Sequence, residues 1–223
     1  MSRKPISRRN FFKISAGILG ASTLACFGLG YAASRSSQTS PSQTVQTPNF
    51  RFGKVDPMNQ RLLVAYATIA GSTVDVAAAI GESLGNRGFA VDVKPLKDDP
   101  DPGEYQFIIL GSAIHGANWL PEAVQYVQNH QSALKQKPVG LFCVHIMNLG
   151  ADEKSHQNRL AYLKAVRPLV NCQAEAYFAG RADMTNQSSF AQWIYRFFKI
   201  GPEGDCRDWN KIRGWAESLS LPS

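Results

Sequence analysis

From residue 61 onward the chain alternates between two hydrophobic periods. Residues 62–66 read LLVAY, an unbroken apolar run of the length and kind expected for a parallel strand buried on both faces. Over 73–87 the apolar positions change to helical spacing. Val74, Ala77, Ala78, Gly81 and Leu84 fall on one face, and Gly88 supplies a stop. The same alternation then repeats. Residues 89–93 read as a second strand, 98–103 as an Asp/Pro/Gly-rich loop, 107–110 as a third strand and 120–130 as a helix. A fourth strand is predicted over 138–144, a helix over 153–166 and a fifth strand over 174–179. Helices over 190–199 and 208–219 end the chain. Five strands separated by helices predict an α/β fold, an open, doubly wound parallel sheet with helices on both faces. There is no internal repeat.

The first 57 residues follow another pattern and predict three regions. Residues 1–33 read as an export signal or anchor, 34–57 as a disordered linker, and 58–223 as the folded domain. In the linker, thirteen of the sixteen residues from 34 to 49 are Ser, Thr, Gln or Pro, too little apolar surface to order a chain. As a random coil, about 24 such residues reach roughly 25–30 Å. Residues 7–13, S-R-R-N-F-F-K, precede twenty residues without a charge, 14–33. This layout resembles the bacterial twin-arginine export signal, S-R-R-x-F-L-K, with Phe12 as the one departure. The resemblance implies passage through the twin-arginine export machinery in a folded state, often with a cofactor inside. It also implies a domain outside the cytoplasm, held near the outer membrane surface if the leader is kept. Cleavage near Ala32 or Ala33, retention as an anchor, and acylation of Cys26 all stay open, and twenty uncharged residues are just long enough to span.

Charge removes one class of partner. The formal net charge is +7, yet six of the 24 Lys and Arg residues and none of the 17 acids lie in the first 35 positions. What remains is nearly neutral, so a nucleic-acid partner is not expected. Cys26, Cys143, Cys172 and Cys206 are too scattered for a disulfide framework or a metal site, and Cys143 reads as a buried strand residue.

Doubly wound sheets bind ligands beyond the carboxyl ends of their strands. Between the first strand and its helix stands Thr68-Ile69-Ala70-Gly71-Ser72-Thr73. Three hydroxyls and a run of N–H groups at the positive end of a helix make a phosphate cradle, and Gly71 lets the backbone turn close to the ligand. Neither G-x-G-x-x-G nor G-K-[ST] is present, which disfavours dinucleotides and nucleoside triphosphates. Two more strand ends flank this loop. After the third strand come Ser112, Ala113, Ile114, His115, Gly116 and Trp119; after the fourth come His145, Met147 and Asn148. No Ser-His-Asp set or paired carboxylates compete with them.

The loop is similar to the phosphate loop of the flavodoxin family, [ST]-x-[ST]-G-x-T. Thr68, Gly71 and Thr73 match, and Ala70 lacks the usual hydroxyl, a loss of about 0.5–1.5 kcal/mol. The resemblance implies strand order 2-1-3-4-5 and FMN as cofactor, with the flavin carrying the chemistry and no protein group acting as catalyst. It also implies that the segment 112–119 folds over the ring. Trp119 either stacks on the ring or caps the next helix, His115 either donates to the flavin or faces solvent, and the loop with Asn148 bonds the ring's polar edge.

Over residues 61–219 the chain most resembles the flavodoxin-like menaquinone-dependent protoporphyrinogen dehydrogenases. The likeness rests on residues 109–114, Ala179-Gly180, the aromatic segment 193–197, Gly204-Asp205 and Asp208-Trp209. It implies an FMN-dependent oxidoreductase with a quinone or another redox partner. A twin-arginine leader sits poorly with a cytoplasmic porphyrinogen substrate, so two alternatives accompany the exported quinone-linked reading: the porphyrinogen dehydrogenase itself, and a binding module that has lost FMN. Phe190, Trp193, Ile194, Phe197 and Phe198 form one helical stripe, either core or a surface facing quinone or membrane.

Overall fold

The computed structural model describes residues 45–54, 60–182 and 201–221. The leader and the predicted helix over 190–199, with its aromatic stripe, lie outside them. Among the described residues no helix is long and apolar enough to cross a membrane.

Strand β1 (Phe50–Phe52) precedes β2 (Arg61–Ala67), α1 (Ser72–Asn86), β3 (Ala90–Pro95) and β4 (Phe107–His115). A two-residue β5 (Asn118–Trp119) turns back on β4, followed by α2 (Pro121–Asn129), α3 (Gln131–Gln136) and β6 (Pro138–His145). Then come α4 (Glu153–Ala161), β7 (Asn171–Ala179), the short pair β8 (Arg181–Ala182) and β9 (Gly204–Asp205), and α5 (Trp209–Ser218). The main sheet runs β1-β3-β2-β4-β6-β7. Every pairing from β3 to β7 is parallel, so the five expected strands stand in the order 2-1-3-4-5.

The unbroken apolar run of β2 is explained by burial on both faces. Leu62, Val64 and Tyr66 enter the core beneath α1 and α5, while Leu63, Ala65 and Ala67 enter the opposite core beneath α2 and α3. Gly111 in β4 has a local packing reason, since a Cβ there would lie 1.9 Å from the Phe142 ring.

Several boundaries differ from expectation: the third strand runs on to His115, so residues 112–115 lie in β4 and not in the loop after it, and the fifth begins at Asn171. The linker expected to continue to residue 57 contains β1, which pairs antiparallel with β3. Phe50 and Phe52 pack on the core, and Arg51 Nε reaches Asp92 at 2.8 Å. Gly81 and Gly85 on α1 make room, since a Cβ on Gly85 would approach Phe52 Cβ to 2.7 Å. The helix expected over 153–166 stops at Ala161. It buries nothing along its length, and the chain beyond it tightens into i→i+3 turns that place Tyr162, Leu163 and Val166 in the core. Finally, α3 follows α2 directly, with His130 outside helical geometry between them.

Candidate cofactor site

The carboxyl ends of β2, β4, β6 and β7 converge on one groove, and the loop after β2 forms its base. Thr68 Oγ1 accepts the Gly71 N–H at 3.0 Å, which closes the loop on itself. Gly71 then takes the helix N-cap with φ 87° and ψ −20°, a left-handed conformation costly for any residue with a Cβ. No side chain caps α1 and the Val74 N–H is taken by the Gly71 carbonyl at 3.0 Å, so the Ser72 and Thr73 N–H groups are the ones open to an anion at the positive end of the helix dipole. Thr73 is fully buried, and its Oγ1 has no hydrogen-bond partner among the described residues. A buried hydroxyl without a partner at an uncapped helix start is the chemistry that a phosphate monoester completes. Ser72 is buried beside it, whereas Ile69 and Ala70 are exposed on the loop's outer side.

A cavity of about 150 Å³ rises from this base. Its walls are Ile69, Ala70 and Ser72 from the first loop, Ala113, Ile114 and His115 from β4, and Val144, His145 and Ile146 from β6. The structure therefore brings the three expected loops together. Gly180 and Arg181, at the end of β7, complete the wall. Neither was expected at the site. A Cβ on Gly180 would lie 3.0 Å from Val144 Cγ1 and 3.3 Å from Ser72 Oγ, so the missing side chain lets β7 close against the phosphate loop. The Ala-Gly pair at the strand end was the available signal.

Four expected contacts have other roles. Trp119 is buried, with its Nε1 donating to Cys143 Sγ at 3.2 Å, so it belongs to the core beneath α2 and cannot stack on a ring in the groove. Ser112 Oγ accepts the Leu120 N–H at 3.0 Å and donates to the Ala113 carbonyl at 2.8 Å, which consumes it in closing the β4–β5 turn. Gly116 lies in that turn's exposed tip with φ 55°, followed by Ala117 at φ 62°. Asn148, at φ 58°, donates from Nδ2 to Tyr162 Oη at 2.6 Å and accepts at Oδ1 from Asn158 at 3.0 Å. Its side chain organises the loop after β6 rather than facing a ligand. Arg159 fastens the same loop by donating to the carbonyls of Asn148 and Gly150.

His145 is a buried titratable group of the groove. It is 4% exposed, its Nδ1 lies 2.6 Å from the Met147 carbonyl, and its ring packs 5.4 Å from that of Tyr162. Burial pushes its pKa down to about 4 against the pull of the Met147 bond, and the charges of Arg159 and Lys211 push the same way. A second hollow of about 420 Å³ adjoins it, bordered by Leu149, Arg159, Tyr177, Cys206 and Lys211. Met147 contributes its backbone to the site, and its side chain points to solvent, 50% exposed.

These features fit FMN at both ends. The α1 cradle would receive the phosphate, and the loops after β4 and β6 would border the flavin. Bound there, FMN supplies one- and two-electron redox chemistry, while the protein binds, orients and shields it.

A family model described as a flavodoxin domain matches residues 63–205. A search of curated proteins finds no match. Among solved structures, the flavodoxin of Streptococcus pneumonia TIGR4 is similar at 14% identity and TM-score 0.48, covering 72% of this chain and 97% of its own. The two-electron reduced flavodoxin of Megasphaera elsdenii is similar at 16% identity and TM-score 0.46, covering 70% and 96%. A short-chain flavodoxin associated with a non-canonical PDU bacterial microcompartment gives 16% and 0.46, covering 72% and 96%. The chain belongs to the flavodoxin domain family, and FMN is its cofactor.

Proposed function

We propose that this redox flavoprotein is exported by the twin-arginine route and exchanges electrons with a quinone near the outer membrane surface. One observation carries the quinone reading. Among the described residues the exposed large hydrophobic side chains are Ile69 at 51%, Met147 at 50% and Leu149 at 38%, and all three sit on the loops after β2 and β6 that bound the cofactor groove. Apolar side chains placed in water around a redox site fit a flat hydrophobic partner better than a charged protein surface. Arg159, Lys211 and Asp208 border the adjoining hollow, so its charged lining is of mixed sign.

Export rests on the twin arginines Arg8 and Arg9, and membrane proximity on the uncharged segment behind them. Porphyrinogen dehydrogenase activity is the second reading, supported by the resemblance of residues 109–114 and Ala179-Gly180 to the strand ends of that family.

The test begins with apoprotein titrated by FMN. Flavin absorbance should be retained after gel filtration by the native chain, and Thr73→Val should weaken binding about tenfold through the lost hydroxyl. Anaerobically reduced holoprotein is then mixed with a soluble naphthoquinone, with and without a porphyrinogen donor. Reoxidation by the quinone alone supports the proposal; reoxidation only by protein acceptors sinks it. Fusing residues 1–50 to a reporter active only outside the cytoplasm tests export, and Arg8→Lys with Arg9→Lys should silence it.

A further inference from the structure

His145 ends β6 with one nitrogen committed and the other open. The Met147 carbonyl can only accept, so the 2.6 Å contact places the proton on Nδ1 and leaves a bare lone pair on Nε2. Nε2 is buried and has no hydrogen-bond partner among the described residues, in a side chain only 4% exposed. His145 borders both the cofactor groove and the adjoining hollow. Its neutral state at physiological pH is secured by burial and by Arg159 and Lys211, so Nε2 remains an acceptor. A buried acceptor without a donor is destabilising, and a ligand that brings a donor removes that cost.

The geometry points to His145 Nε2 as a direct acceptor for an N–H or O–H of bound FMN, so that this side chain, beyond the phosphate cradle, fixes the flavin's orientation. The inference rests on the FMN reading of the groove. FMN carries two kinds of candidate donor, the imide N–H of the ring and the ribityl hydroxyls. His145 faces the groove between the phosphate loop and β4, where either can lie.

A crossed pair of substitutions separates this role from a merely structural one. In His145→Asn the amide stands near the position of Nδ1, so it can still donate to Met147 but offers nothing at Nε2. In His145→Gln the amide reaches the position of Nε2 and can accept, while the Met147 bond is lost. FMN affinity is read by quenching of flavin fluorescence at neutral pH, and thermal unfolding of each apoprotein is recorded alongside. The expected result is about tenfold weaker binding for His145→Asn and a loss of no more than about threefold for His145→Gln. The reverse order assigns His145 to holding the Met147 loop and overturns the inference, as do equal losses or none. Should a variant unfold, the native protein answers through the ¹⁵N resonance of His145 Nε2. Accepting a hydrogen bond moves that signal when FMN is added, and an unmoved signal overturns the inference. Repeating the titration with lumiflavin, which lacks the ribityl chain, identifies the donor: a surviving Asn penalty places it on the ring, and a vanished one places it on a ribityl hydroxyl. Failure of the native protein to bind FMN at all defeats the cofactor reading instead, and the first titration shows it.

Discussion

Two buried titratable side chains, Asp92 and His145, make stability depend on pH in separate windows. Asp92 in β3 accepts from Arg51 at 2.8 Å, Arg61 at 2.8 Å and Tyr105 at 3.0 Å. Burial draws its pKa upward, and the hydrogen bonds from Arg51, Arg61 and Tyr105 outweigh that and hold it below the ordinary value. Its contribution is therefore complete above the unfolded carboxylate pKa and is lost as pH falls below about 4. Asp92→Asn should cost about 1–3 kcal/mol in denaturant unfolding at neutral pH, because two guanidinium groups lose their shared acceptor. His145 acts in a higher window. The unfolded chain takes up its proton near pH 6.5, the folded one only near pH 4, so folding stability is full above about 6.5 and declines between those values. A 2–3 unit separation corresponds to about 3 kcal/mol. Urea unfolding at pH 7 and pH 4.5 should show the decline in the native protein and a flatter profile in His145→Asn.

At the scale of elements, the phosphate loop was readable and the strap beside it was not. The sequence of the loop specified its position between strand and helix, its hydroxyls and its glycine. Those are local properties that the long apolar run of β2 and the helical spacing of α1 frame directly. Gly71→Ala tests the conformational part. Its Cβ would meet only Val45 Cγ1, at 3.6 Å, so the penalty comes from φ rather than crowding. About 1–2 kcal/mol of stability should be lost, together with FMN affinity, by the same titration. Strand β1 escaped because its composition belongs to the linker and its alternation spans only Phe50, Arg51 and Phe52. What orders it is long-range: the buried Asp92 opposite Arg51, and the glycines of α1 beneath Phe52. The Tyr66 hydroxyl also donates to the Pro48 carbonyl at 2.7 Å. Phe52→Ala should therefore cost about 2 kcal/mol, although residues 34–57 read as unstructured. The roles of Trp119, Ser112 and Asn148 were hidden for a related reason. Each faces a partner distant in sequence or sits in a turn whose hydrogen bonds no spacing rule reveals, so strand-end position was legible and side-chain direction was not.

The charge and the apolar rim of the domain belong together at the scale of the whole molecule. A flavoprotein that finds charged protein partners by long-range attraction needs a field of one sign around its flavin, and its electron-transfer rate falls steeply as salt screens that field. Beyond residue 35 this chain carries 18 basic and 17 acidic residues, and the loops after β2 and β6 that bound the groove expose Ile69, Met147 and Leu149. Encounter with a quinone should therefore depend on apolar contact. Reoxidation of the reduced holoprotein by a soluble quinone should change by less than about twofold between low and high ionic strength. The double substitution Met147→Ser with Leu149→Ser removes apolar side chains exposed at the rim while keeping the Met147 carbonyl that holds His145. It should slow that reoxidation several-fold, as expected for losing about 1 kcal/mol of apolar contact, and leave the FMN dissociation constant within about twofold. A rate that collapses with salt, or a double variant as fast as the native protein, would show that the partner is recognised by charge and that the exposed rim serves another purpose.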